Sequence, residues 1–304
     1  MDISIITPCF NSVKHIKETI DNVLNQKGHF EIEYIIIDGG STDGTVESVR
    51  AAVERWNGGM VESNDFSPTH LHTYTITPNL SFKFLSERDN GMYDAINKGF
   101  NLATGDVFAW INSDDIYYPE AFQRVVEVFN KYKDVKWLTG NSNTINENSE
   151  ITKKADCRFY SREWLKKGFY GYVAPFVEQE AVFFRKELWQ RVGKLDIKYK
   201  LAGDYWLWRQ FARFEELYSF DVLTSAFRQR KGQLSGDVEK YKDEMEDIKE
   251  NSFFIEFFVR IFFKFEGHFP LKIANFLFRA FNKKSKVVNN DLSRCEIYNY
   301  RRDL

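Results

Sequence analysis

Cysteine and proline are scarce in this chain, with three and six among 304 residues. The cysteines, Cys9, Cys157 and Cys295, are odd in number, widely spaced and never in a Cys-x-x-Cys pair. They read as reduced thiols of a cytosolic protein, which excludes a disulfide framework and a structural zinc. An excess of one charge is lacking too. Forty-two basic residues meet 44 acidic ones for a net charge of -2, so no basic field points to nucleic acid. No stretch reaches the ~18 uninterrupted apolar residues of a membrane-spanning helix. The strand-like run Ile3-Ser4-Ile5-Ile6 begins within three residues of the start, with no charged segment or cleavage site before it, so no signal peptide is expected. Two nucleotide fingerprints are missing as well. Neither Gly-x-Gly-x-x-Gly nor a Gly-x4-Gly-Lys-Ser/Thr loop occurs, which disfavours a dinucleotide fold and a P-loop.

What the chain does have is alternation. Strand-like runs at Ile3 to Thr7, Tyr34 to Asp38, Lys83 to Ser86 and Val107 to Asn112 are separated by helical patterns at Ser12 to Gln26, Asp43 to Arg55, Met92 to Ala103 and Glu120 to Lys131. This rhythm predicts βαβ units and a mostly parallel sheet flanked by helices. Residues 57–80, rich in Gly, Asn, Ser, Pro and Thr, interrupt it and read as a surface insertion. His70 and His72 inside it have spacing for a metal on one strand face, but no third ligand is near in sequence.

Ligands of such sheets bind beyond the carboxyl ends of the strands. Polar clusters follow four strands here: Thr7-Pro8-Cys9-Phe10-Asn11, Asp38-Gly39-Gly40-Ser41, Glu87-Arg88-Asp89-Asn90-Gly91 and Asn112-Ser113-Asp114-Asp115. Together they predict one cleft. The adjacent acids Asp114 and Asp115 repel unless a cation joins them, and a divalent ion completed by a diphosphate would do so. The alternative is an ordinary helix cap at Asp115. Asp38 with its glycines suits contact with a base or ribose, or equally a tight turn with a Ser or Thr cap.

These blocks resemble family 2 glycosyltransferases of the GT-A fold. Thr7-Pro8-Cys9-Phe10-Asn11 is similar to that family's opening, and Asp89-Asn90-Gly91-Met92-Tyr93-Asp94-Ala95-Ile96-Asn97-Lys98-Gly99 to its Asp-Asn-Gly-x-Tyr-Asp-Ala-x-Asn-Lys-Gly block. Ala103-Thr104-Gly105-Asp106 and then Asn112 to Asp115 follow in family order. The resemblance implies roles. Pro8 would belong to the nucleotide-sugar site, Phe10 and Asn11 would line the base and ribose pocket, and Asp38 would hydrogen-bond the base. Arg88, Asp89 and Asp94 would line the nucleotide-diphosphate pocket, Asp114 would face the ribose or diphosphate, and Asp115 would hold Mn²⁺ or Mg²⁺. For Arg88, a salt bridge to Glu87 or Asp89 is the alternative.

In the second half Gln179-Glu180-Ala181-Val182-Phe183-Phe184-Arg185 and Ala202-Gly203-Asp204-Tyr205-Trp206-Leu207-Trp208 resemble the family's acceptor-side blocks. Asp204 is the implied base that takes the acceptor's proton, its alternative again a helix cap. Many relatives place Glu-Asp where this chain has Gly203-Asp204, and Glu180 is a candidate to share the work beside Gln179. Arg228, Gln229, Arg230 and Lys231 stand where relatives often carry a His; the three cations either neutralise a departing diphosphate or belong to a solvated loop.

Residues 1–235 thus read as a GT-A domain, with a nucleotide-sugar half at 1–130 and an acceptor half at 131–235. Residues 236–304 read as a helical C-terminal extension. Within it, Glu256, Arg260 and Lys264, then Lys272, Asn275, Arg279 and Lys283, give Phe-rich helices one polar side each. Such helices at 252–286 suit a membrane interface, and packing on the domain or across a dimer is the alternative. The resulting expectation is a metal-dependent, inverting transferase at the inner face of the cell membrane. It would move a sugar from a nucleotide-diphosphate donor, UDP by default, to a glycan or glycolipid acceptor in surface polysaccharide assembly. Nucleotidyl transfer and non-catalytic glycan binding are the rival readings.

Overall fold

The computed structural model describes residues 1–58, 70–155, 157–158, 160–250, 256–257, 259–261, 286–288 and 297–299, the last two segments as backbone strands. Four parallel strands form the centre: β1 (Asp2–Cys9), β2 (Glu31–Asp38), β4 (Leu80–Ser86) and β5 (Val107–Trp110). Around them lie β3 (His72–Thr77), β6 (Ile116–Tyr117), β7 (Trp137–Ile145), β8 (Ile151–Lys153), β9 (Val182–Arg185), β10 (Leu217–Arg228), β11 (Lys286–Val288) and β12 (Ile297–Asn299). The order across the sheet is β12-β11-β10-β7-β9-β5-β1-β2-β4-β3, with β6 on β10 and β8 on β7. β9 runs antiparallel to both of its neighbours, β5 and β7.

Both faces of the central strands are covered, which is why they read as continuous apolar runs. Alternate residues serve opposite cores. Ile3 and Ile5 of β1 join Ile32, Tyr34 and Ile36 of β2 on one face, whereas Ile6 joins Ile35 and Ile37 on the other. The first face is closed by α1 (Ile16–Leu24), α2 (Thr45–Trp56) and α4 (Ala121–Lys131). Helix α1 buries Ile16, Ile20, Val23 and Leu24, a single stripe at helical spacing. The second face is closed by α3 (Met92–Leu102), α6 (Lys186–Val192) and α7 (Gly203–Phe214), behind α5 (Arg162–Lys167). Its centre is aromatic: Trp110 stacks on Trp208 at 5.4 Å and Phe184 meets Phe211 at 5.0 Å. The first of these pairs fixes the middle of α7 against the tip of β5.

Two expectations change. The 57–80 insertion is not all loop, because His72–Thr77 forms β3, antiparallel to β4. Its Thr-Tyr-Thr-Ile-Thr run alternates at strand period, a signal that the polar residues before it obscure. Residues 59–69 lie outside the described residues. Among the described residues no three His, Cys, Asp or Glu groups could hold a metal, so His70 and His72 gain no third ligand. The extension is likewise not wholly helical. Helix α8 (Val238–Ile248) is followed among the described residues by Glu256 to Ile261, where Glu256 pairs with Arg260 at 2.8 Å and Val259 is buried. Strands β11 and β12 then extend the sheet, β11 running parallel to β10. Most of the 252–286 stretch expected to meet a membrane lies outside the described residues. Among those described, no helix is long and apolar enough to cross a membrane.

Candidate active site

The strand-end loops named from the sequence meet at one edge of the sheet. Cys9 lies opposite Asp38 in the parallel β1–β2 register, and the loops beyond them are laced together. Ser41 Oγ accepts from the Asn11 amide at 2.8 Å and Asn11 Oδ1 accepts from the Thr42 amide at 3.0 Å. Thr45 Oγ1 and Asp43 Oδ2 accept from the Ser12 and Val13 amides. Asn11 turns the chain in the left-handed region, at φ 50°, a conformation that Asn tolerates better than most residues. Pro8 is buried inside β1 opposite Ile37, one step behind the cleft. Phe10 is 63% exposed. Single exposed aromatics are common, but this ring stands just beyond β1, among the strand-end loops, and offers a face on which a flat heterocycle can stack.

Asp38 is completely buried. Its Oδ2 accepts from the amides of Gly40 and Ser41 and from Ser86 Oγ at 2.7 Å, and its Oδ1 from Ser41 Oγ. This is not the open acceptor that the sequence reading sets against a base; the carboxylate shapes the loop. Asp89 stands beside it instead. A Cβ on Gly39 would fall 2.8 Å from Asp89 Oδ2, so the glycine makes room for that carboxylate. Burial, with Asp94 and Asp38 nearby, holds the Asp89 carboxyl above its usual range. Asp94 is pinned at the start of α3, accepting from the Asn90 amide at 3.0 Å. Arg88 is exposed, and among the described residues no carboxylate lies within ion-pair distance of it. Glu87 pairs with Lys98 at 2.7 Å, so the local salt bridge offered as an alternative does not form.

Beyond β5 come the paired acids. Asp115 is completely buried. It accepts from the Arg228 amide at 2.7 Å and from Asn112 Nδ2 at 3.2 Å. Burial first, then Asp114 and Glu180, push its carboxyl well above the carboxylate range. Asp114, nearer the surface, pairs with Arg230 Nε at 2.5 Å. The helix cap considered for Asp115 is absent, since α4 begins six residues later. Arg228 is not free to meet a diphosphate. Its guanidinium is buried, donating to the carbonyls of Asp114 and Asn146 and to Glu18 at 2.6 Å. Of the basic trio, Lys231 is exposed and Arg230 partly so.

Gln179 is also structural, its Nε2 donating to the Trp110 carbonyl at 2.6 Å. Glu180 is buried, accepts from Ser142 Oγ, and is pushed up to about 8, by burial first and then by Glu178 and Asp204. Glu180 thus feels Asp115 on one side and Asp204 on the other. Asp204 sits half-buried in the first turn of α7. Its Oδ1 accepts from the Tyr205 amide at 2.8 Å, from Tyr241 Oη at 2.9 Å and, at 3.5 Å, from Tyr93 Oη. No side chain among the described residues donates to its Oδ2. Burial raises this carboxyl to about 6.

A family model for "Glycosyl transferase family 2" matches residues 4–191. The chain is a family 2 glycosyltransferase. An uncharacterized glycosyltransferase of Rickettsia prowazekii is 25% identical over 250 residues, covering 81% of this chain and 70% of that one. A counterpart in Rickettsia typhi, 23% identical, is spanned over 60% of its length. A PGL/p-HBAD biosynthesis glycosyltransferase of Mycobacterium tuberculosis is 25% identical, with 66% of each chain covered. Among solved structures, S. aureus TarS 1-349 with UDP-GlcNAc superposes with a TM-score of 0.59 at 15% identity, over 86% of this chain and 70% of that one. The Pyrobaculum calidifontis mannosyltransferase PcManGT with GDP-Man and Mn²⁺ gives 0.54 at 18%, over 77% and 59%. These likenesses show the GT-A fold.

In this glycosyltransferase the sequence-named residues Phe10, Asn11, Arg88, Asp89, Asp114 and Asp204 line one polar edge, whereas Pro8, Asp38, Asp115 and Gln179 are buried behind it. Tyr241 escaped the sequence reading. It lies in a charged helix after the last family block, and nothing in its spacing ties it to Asp204. Tyr93 did fall inside a matched block, but its contact with the acceptor-side helix has no sequence signature.

Proposed function

We propose that this glycosyltransferase moves a sugar from a nucleoside-diphosphate sugar, UDP first among the bases, to a hydroxyl of a glycan or glycolipid, with inversion. The assembly of a surface polysaccharide is the setting we infer for it. One observation carries the reading: Asp204 has one carboxylate oxygen held by the Tyr205 amide and Tyr241 Oη and the other without a side-chain donor among the described residues, with its carboxyl raised to about 6. That is what a general base aimed at an acceptor hydroxyl requires.

The base of the nucleotide stacks on Phe10, with Asn11 at the ribose, Asp89 beside Gly39 in reach of base or ribose, and Asp38 holding the loop that carries them. Arg88, which has no carboxylate partner among the described residues, takes the diphosphate, and Asp94 and Asp114 complete the wall. The acceptor oxygen attacks the anomeric carbon from the side opposite the diphosphate. Its proton passes to Asp204 Oδ2, the bond from the anomeric carbon to the β-phosphate oxygen breaks, and the nucleoside diphosphate leaves with that electron pair. Burial pushes the Glu180 carboxyl up to about 8, which disfavours a second negative charge beside the base.

A divalent ion fits this site with the protein supplying only part of its shell. Asp115 is buried beside Asp114 and Glu180, and burial first, then these neighbours, raise its proton affinity, although no cage of three acidic, His or Cys groups exists among the described residues. Mn²⁺ or Mg²⁺ would be held by Asp115 with Asp114 and by the donor's phosphates, and when bound would neutralise diphosphate charge as a Lewis acid.

The domain division is part of this proposal: residues 1–235 supply the groups that meet donor and acceptor, donor half 1–130 and acceptor half 131–235, with 236–304 appended and α8 packed on the start of α7. Residues 252–286 rest on anionic lipid at the inner face of the cell membrane. Flotation of the full chain with anionic vesicles tests that placement, and a chain that stays at the bottom of the gradient refutes it. Family membership favours sugar transfer over nucleotidyl transfer or passive glycan binding.

The donor reading is tested by thermal shift with UDP, GDP and dTDP, each with and without Mn²⁺, since a ligand that binds only the folded state stabilises it. UDP with Mn²⁺ should raise the Tm most. No response to any diphosphate would contradict the reading.

A further inference from the structure

We infer that helix α8 belongs to the catalytic unit, with Tyr241 as the positioning residue that aims Asp204 and sets when it can accept a proton. This rests on the reading of Asp204 as the base. Tyr241 Oη donates to Asp204 Oδ1 at 2.9 Å, shorter than the 3.5 Å approach of Tyr93 Oη, whose firmer bond is to the Leu201 carbonyl at 2.6 Å. Tyr241 is therefore the principal side-chain donor to this carboxylate. Its ring is itself fixed, edge-on to Phe176 at 5.6 Å.

The same helix also fixes the backbone that carries Asp204. Glu244 accepts from the amides of Lys200, Leu201 and Ala202 at 2.9, 2.9 and 2.8 Å. Ala202 is the N-cap of α7 and has no side-chain cap of its own, so Glu244, from another helix, satisfies donors that would otherwise be orphaned there. Met245 and Ile248 close the joint by packing with Tyr199, Ala202 and Tyr205. One turn of α8 thus holds both the peptide before the base and the base's inner oxygen.

A phenol donating to a carboxylate favours its ionised form. The other groups facing Asp204 are Tyr93 from α3, and Glu178 and Glu180 from the segment before β9. The two acids disfavour a further negative charge. Tyr241 and Tyr93 are the side chains that oppose them.

The test uses the full chain labelled with ¹³C at aspartate Cγ, in which the resonance lost in Asp204→Asn identifies the group. Its midpoint should lie near 6 in the parent and rise by about one pH unit in Tyr241→Phe, because a hydrogen bond to a charged group is lost. In turnover, the acidic limb of kcat should move upward with it while the KM for donor stays constant. An unmoved midpoint overturns the proposal, as does a uniform fall in kcat with no movement of the limb, which marks a merely structural tyrosine. If Asp204→Asn keeps full turnover, the base assignment fails instead, and the carboxyl titration still decides whether Tyr241 governs Asp204.

Discussion

The ring of Tyr93 occupies the space that a side chain at position 203 would need. A Cβ built on Gly203 would lie 2.6 Å from the ring, and Tyr93 is 3% exposed with nowhere to retreat. Two blocks that lie far apart in sequence therefore interlock at this point, one on the donor helix α3 and one at the start of α7. Gly203→Ala should force the two helices apart, costing about 1–3 kcal/mol as overpacked cores do. A denaturant titration measures the loss, and turnover should fall further than stability because Asp204 moves with the helix.

Asp204→Asn should leave nucleoside diphosphate binding unchanged and lower kcat by roughly 10²–10⁴, the usual contribution of a positioned base. In the parent, activity should rise with pH through about 6, since only the carboxylate accepts a proton. Steady-state rates from pH 5 to 8 supply the profile. A rate already at its plateau at pH 5 would remove Asp204 from the role.

Arg88→Ala should weaken nucleoside diphosphate affinity by about 10–100-fold, the size of a lost hydrogen bond between charged groups. Calorimetric titration gives the change directly. Because Arg88 is exposed and joins no ion pair among the described residues, the Tm of the free protein should stay within about 1–2 °C of the parent.

Much of the donor side was legible in the sequence. Buried parallel strands announce themselves as apolar runs, and the loops after β1, β2, β4 and β5 carry chemistry in the order the fold uses it. Exposure was not legible. Asp38 and Arg228 look like binding groups in a linear reading, yet the strand tips fold over the first, and the turn after β7, with Asp114 and Glu18, wraps the second. Tyr241 was invisible for the opposite reason. Its partner is 37 residues away, and only the packing of α8 on α7 brings them together. β3 was hidden by the polar segment in front of it.

Glu180 supplies a test of stability against pH. Its carboxyl is pushed up to about 8 by burial and neighbouring acids, whereas an unfolded glutamate titrates near ~4.3. Between those values the folded protein binds a proton that the unfolded chain does not, so this group's contribution to stability falls as pH rises through that window. Glu180→Gln cannot ionise and should escape the loss, melting roughly 4–8 °C above the parent at pH 8 and close to it at pH 5. Mn²⁺ should narrow the gap at pH 8, if the cation offsets the same crowded charge.

The central claim is that a nucleoside diphosphate and a divalent ion occupy the strand-tip cleft that Asp204 faces. A crystal structure of the full chain with UDP and Mn²⁺ tests it most directly. The account predicts the uracil against Phe10, the diphosphate at Arg88, and the ion between the phosphates and the Asp114–Asp115 pair, with Asp204 Oδ2 open toward the vacant sugar site. Nucleotide bound elsewhere, or bound here with Asp204 turned away from it, would contradict it.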